Sequence, residues 1–208
     1  MNNPITRRGF CLLGGASALL PGLSLAAIAD DSVSDSRAIA PITPRWDWLK
    51  NTFWYVPAPH LRAYVYTPSN QTLTYLVDQT VFHITGYLRG YFWGVTGTMF
   101  SGGEISYRSL VGSVTPEGQV YLSFTPFDPT VKTTISQGFG VMVRRLGQWT
   151  MANQMSTAPN AELAVFHWAY MVQTMPGRRS WRVLPGAGIS VPEFLQNCPA
   201  GPTLAVPS

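Results

Sequence analysis

Three histidines, His60, His83 and His167, and a cysteine near the C-terminus, Cys198, carry the most versatile chemistry in this chain. Imidazole titrates near neutral pH, shuttles protons and ligates metals. No two of the three stand at a spacing that closes a zinc site, and Cys198 has no neighbouring ligand, so no metal is expected. His83 and His167 each sit between bulky apolar residues, Phe82 and Ile84 in one case, Phe166 and Trp168 in the other. In a strand this alternation sends the imidazole to the face opposite its neighbours. If that face lines a cavity, His83 and His167 are the candidate catalytic acid–base pair; if it faces water, they are surface residues, which the alternation alone favours.

Other catalytic constellations lack support. There is no Gly-x-Ser-x-Gly elbow, and Gly112-Ser113-Val114 lies within a strand pattern instead of at a strand-to-helix turn. Most acids fall in the leader, turns and tail; Asp78 and Glu104 stand apart, and no spacing pairs two carboxylates across a cleft. Large amphipathic rings are the more abundant resource, and such rings with a few polar groups line small-molecule pockets, although they serve equally as core. The expected ligand-binding set is Tyr87, Trp93, Trp149, Gln154 and Trp168, around a small, mainly apolar or aromatic ligand.

The elements that must position these residues read as strands. Between Arg62 and Thr174, Val, Thr, Tyr, Phe and Trp dominate and Gly, Pro and Asn punctuate, an all-β pattern. Thr115-Pro116-Glu117-Gly118 marks a turn in a hairpin from Ser109 to Phe124, with Val120, Leu122 and Phe124 on one face. Arg144-Arg145-Leu146-Gly147 joins a strand from Ile135 to Val143 with one from Trp149 to Met155. Further strands are expected at Arg62 to Tyr66, Leu73 to Val77, Val81 to Thr85, Tyr91 to Met99 and Phe166 to Val172, about eight in all. Short connections favour an antiparallel up-and-down meander, and closing it into a small barrel removes exposed edges. Gly94, Gly112, Gly138 and Gly140 suit the required curvature; a two-sheet sandwich is the competing architecture. The expected barrel domain is 46–175, and 176–208 is an irregular C-terminal extension with one helical turn at Val191 to Gln196.

Such an exported, Trp- and Tyr-rich meander resembles the calycin-like barrels, the lipocalin and avidin kind, over roughly residues 54–174. Gly147-Gln148-Trp149 matches the Gly-x-Trp of lipocalins, but late in the chain where that family has it at the first strand. The resemblance implies a small-molecule site inside the barrel and assigns no residue roles.

Export is read from the N-terminus. Arg7 and Arg8, followed by Phe10 and Leu12 and an apolar stretch to Leu20, form a twin-arginine signal, and Ala27-Ile28-Ala29 gives the small-x-small site for signal peptidase. The expected divisions are 1–29 signal and 30–45 flexible leader. An uninterrupted apolar run of this length reaches roughly 16 Å, about half a hydrocarbon core, so a stable membrane anchor is not expected. The translocase and the peptidase are the export partners, and the location is periplasmic or secreted. The net charge of +4 includes the signal arginines, and 12% charged residues without a basic stripe exclude nucleic acid as a partner. After cleavage Cys198 has no intrachain disulfide partner. The sequence names no cofactor. Its leading functional reading is an exported binder of a small ligand; the alternatives are a barrel enzyme of isomerase, cyclase or hydratase type, and an envelope interaction protein using surface aromatics.

Overall fold

The computed structural model describes residues 46–128, 130, 136–160 and 162–205. The signal, the leader and the expected strand start at Ile135 lie outside the described residues. Nine antiparallel strands form one sheet: β1 (Thr52–Tyr55), β2 (Arg62–Thr67), β3 (Thr72–Leu88), β4 (Tyr91–Phe100), β5 (Ile105–Val114), β6 (Gln119–Pro126), β7 (Ser136–Arg145), β8 (Gln148–Asn160) and β9 (Leu163–Thr174). Strands β2 to β9 pair in sequence order, and β9 pairs back onto β2, so the meander closes into an eight-stranded barrel.

The eighth strand position holds two strands end to end. At one end β2 lies between β3 and β9, Tyr64 facing Tyr75 on one side and Phe166 on the other. At the other end β1 fills the same slot, Phe53 facing His83 and Thr174. Between them the chain leaves the sheet through Val56–Leu61, which includes a 3-10 turn at Ala58–His60. The partner strand does not break. The expected strands at Leu73 to Val77 and Val81 to Thr85 are halves of one continuous β3, and β1 is an additional strand.

Both expected turns form. The Gly118 N–H donates to Thr115 O at 2.8 Å, closing β5–β6. Leu146 and Gly147, both at positive φ, make the two-residue turn of β7–β8, the geometry that suits strand twist. Val120, Leu122 and Phe124 face inward and are buried. The core joins them to Trp54, Phe82, Ile84, Phe92, Leu110, Met151 and Met171. Trp46 and Trp48 fold over the end that carries these turns, with Trp149 5.0 Å from Trp46 between ring centroids, and plug it.

The C-terminal extension carries two short helices, α1 (Arg179–Arg182) and α2 (Val191–Leu195), the second at the place the sequence indicates. Ser190 Oγ accepts from Glu193 N and caps α2. Leu184, Val191 and Phe194 pack over Val81 and Met99 as a second, outer core.

Close packing makes some glycines obligatory. A Cβ on Gly112 would stand 2.7 Å from Tyr121 O and collide with the Phe92 ring. Gly112→Ala is therefore expected to lose about 1–3 kcal/mol, the cost of overpacking, in urea unfolding with an unchanged m-value.

Candidate functional site

The break in the eighth strand sets the polar chemistry of the barrel. Backbone groups that lose ladder partners there must find others, because burying them unpaired is costly. Gln79 answers for Val56: its Oε1 accepts from Val56 N at 3.1 Å, and its Nε2 donates to Val56 O at 3.0 Å and to Pro185 O at 2.7 Å. His167 answers for His60, whose carbonyl oxygen lies 2.7 Å from Nε2. The other ring nitrogen, Nδ1, lies 2.8 Å from Asp78 Oδ2. Asp78 Oδ1 accepts from Thr80 Oγ1 at 2.9 Å, and Thr80 Oγ1 meets Thr98 Oγ1 at 3.1 Å.

Nε2 donates to the His60 carbonyl, and when the ring is protonated Nδ1 donates to Asp78 as well. Burial works to lower its pKa, but the hydrogen bond and charge of Asp78, aided by the His60 carbonyl, outweigh burial and raise it. This ring keeps no free lone pair for general-base catalysis or for a metal. Its role here is to hold the broken strand.

The side chains nearest the end opposite the tryptophan plug form a polar mouth. A cavity of about 60 Å³ there is lined by Asp78, Thr80, Thr96, Thr98, Arg108 and His167, with Ser106, Ser136, Ser156 and Thr157 adding hydroxyls and Phe124, Met155 and Val165 forming its apolar wall. Arg108 is half-buried, and its Nη1 donates to Thr157 Oγ1 at 3.3 Å. Among the described residues no carboxylate pairs with it. Burial lowers its pKa, but an arginine keeps its charge in proteins. Thr96 is buried with Oγ1 unpartnered among the described residues. A fixed cation beside hydroxyl groups offers the charge-assisted and neutral donors by which a small anion is held. Arg108 and Ser106 also border an open hollow of about 370 Å³ beside Tyr107, Phe127 and Pro199.

The residues expected from sequence separate. His167 enters the mouth, but on the face opposite to that favoured by alternation: it points inward while Phe166 and Trp168 point out. His83 points outward, stacked on Phe53 at 4.0 Å between centroids, and burial there lowers its pKa. The two histidines share no cavity. Tyr87 packs against the core and its hydroxyl accepts from Gly90 N. Trp93 covers Gly86 on the outer face. Trp149 belongs to the tryptophan plug, with the Arg144 guanidinium 4.7 Å over its ring. Gln154 and Trp168 stand exposed on the outer surface, paired across β8 and β9. None of these five lines the mouth. The barrel middle is packed with core side chains, among them Trp54, Phe82, Phe92, Leu110 and Met151.

Arg108 and the threonines of the mouth were not among the sequence candidates. Their signal is spacing: Arg108 stands two and four residues before the inward Leu110 and Gly112. Cys198 is partly covered, and burial pushes its thiol up to about 11, which keeps it protonated and unreactive. Among the described residues no cluster of His, Cys, Asp or Glu could hold a metal, and no helix is long and apolar enough to cross a membrane. No family model matches this chain, and no curated protein and no solved structure matches it either, so its function is read from the residues themselves.

Proposed function

We propose that this chain is an exported, periplasmic or secreted binding protein that holds a small anion at the open mouth of its barrel, after twin-arginine transport and cleavage behind Ala29. The observation that carries the reading is Arg108, a half-buried guanidinium without a carboxylate partner among the described residues, set in a ring of threonine and serine hydroxyls. The cavity suits a carboxylate or a similar oxyanion of a few heavy atoms, since about 60 Å³ is the room of several waters and well below a drug-sized pocket. A longer apolar or aromatic body finds space in the adjoining hollow beside Phe127 and Tyr107. Binding, not turnover, fits the engaged state of both His167 nitrogens.

Calorimetric titration with formate, acetate, lactate, benzoate and inorganic phosphate tests this. One or more of these anions is expected to bind the wild type and to lose roughly tenfold to a hundredfold in affinity in Arg108→Met, the value of one hydrogen-bonded charge, about 1.5–3 kcal/mol. Failure of every anion to bind, or equal binding by Arg108→Met, would overturn the reading.

A further inference from the structure

The outer wall of the barrel from β2 through β9, β8 and β7 to β6 is unusual in being aromatic where a strand's outer face is ordinarily polar. Tyr75 faces Tyr64 across β3 and β2, and Tyr64 faces Phe166 across β2 and β9. Trp168 lies two residues along β9 from Phe166 and faces Gln154, Gln154 faces Phe139, and Phe139 faces Tyr121. Six rings therefore run as one connected patch across strands β3, β2, β9, β8, β7 and β6, and each is 43–64% exposed. Tyr66 and Leu73, paired beside them and also exposed, extend it.

At ~100 Å² for each half-exposed side chain, the six rings together with Tyr66 and Leu73 make a patch on the order of 800 Å². The largest apolar patch of an ordinary monomer is about 300–600 Å². A standard interface buries about 800 Å² on each partner. No aspartate or glutamate occupies the outward strand positions that connect these rings. Arg62 lies among them with its guanidinium 4.6 Å over the Tyr75 ring. This is the composition of protein–protein interfaces, rich in Tyr, Trp, Phe and Arg and poor in acids. At the patch centre stands Gln154, whose amide both donates and accepts, a self-complementary group of the kind that suits a twofold axis.

We infer that a second copy of this chain covers this face, forming a homodimer in which the two aromatic walls meet. Arg62, spent on the Tyr75 ring, is a single charge in a patch of this area and calls for no oppositely charged partner, and the patch size is what one protomer contributes to a stable dimer. The inference rests on the outer wall alone and is independent of the anion site inside the mouth.

Sedimentation velocity and native mass spectrometry of the natively purified protein, across roughly a hundredfold range of concentration, decide it. A dimer mass is expected. Trp168→Glu and Phe166→Glu should each weaken the dimer by about a hundredfold or more, because a charge is then buried at the centre. Both positions are exposed, so circular dichroism should report an unchanged fold. Val183→Glu, half-exposed on the C-terminal extension, should leave the dimer intact. A monomer at every concentration overturns the inference, as does a dimer indifferent to both ring substitutions. A monomer that binds soluble polysaccharide or phospholipid vesicles through Trp168 also overturns it and assigns the face to a glycan or a membrane.

Discussion

Asp78→Ala is expected to destabilise the barrel by about 3–5 kcal/mol, the range for removing one partner of a buried ion pair. His167 is 2% exposed and Asp78 4% exposed, so solvent cannot take over the lost contact. Without Asp78 the ring either keeps its charge with no counter-ion or gives up the Nδ1 proton and leaves that nitrogen unpaired. Thr80 loses an acceptor as well. The effect depends on pH in a defined direction. In the wild type the His167 pKa is raised above the ordinary histidine value of 6.5. A raised basic pKa contributes stability that is fully present below the unfolded value and fades as pH climbs through the folded one. In the variant only burial and the His60 carbonyl remain, and the largest influence, burial, opposes the charge. The gap between wild type and variant should therefore be widest below pH 6.5 and narrow above the raised value. Urea unfolding at pH 5.5 and pH 8.5 measures this; a variant within ~1 kcal/mol of wild type at the acidic pH would show that the pair does not support the fold.

The same pair explains which parts of the molecule were legible in the sequence. Hairpins were, because turn chemistry is local: Pro116 and Gly118, or Leu146 with Gly147, need no knowledge of the rest of the chain. The inward face of β6 was as well, because there the apolar side of the alternation is the buried side. In β9 the rule inverts. Val165, His167, Ala169 and Met171 turn inward while Phe166 and Trp168 remain outside, since the outer wall is aromatic and the mouth is polar. Hydrophobicity alone chooses the wrong face under those conditions. Asp78-Gln79-Thr80 likewise looks like an interruption between two short strands. The residues are in fact buried mid-strand, because the interruption lies in the neighbouring slot, where β1 stops and β2 has not begun. That relation joins positions distant in sequence and leaves no periodic trace. Arg108 was obscured for a related reason: one basic residue at the edge of a strand pattern reads as solvent-facing until the ring of strands is closed around it.

Gln79→Leu follows from the same gap and is expected to cost roughly 3–5 kcal/mol, although leucine matches glutamine in bulk and suits a buried site. The loss comes from the groups left behind. Val56 N, Val56 O and Pro185 O each lose a partner, and an unsatisfied buried polar group costs about 1–3 kcal/mol. Pro185 belongs to the C-terminal extension, so Gln79 is also a rivet between barrel and extension. Leu184, next to it, is buried in the outer core with Phe194. Loosening Pro185 should thus expose the extension to limited proteolysis before the barrel unfolds. Gln79→Glu separates bonding from packing. A carboxylate accepts from Val56 N but points its remaining oxygen at two carbonyls, while the protonated acid donates to one of them. Its folded pKa must then rise above that of an unfolded glutamate, so Gln79→Glu should be markedly less stable at pH 8 than at pH 5, whereas Gln79→Leu should lose the same amount at both. Equal losses for the two variants at both values would show that shape at this position, not hydrogen bonding, keeps the broken strand in place.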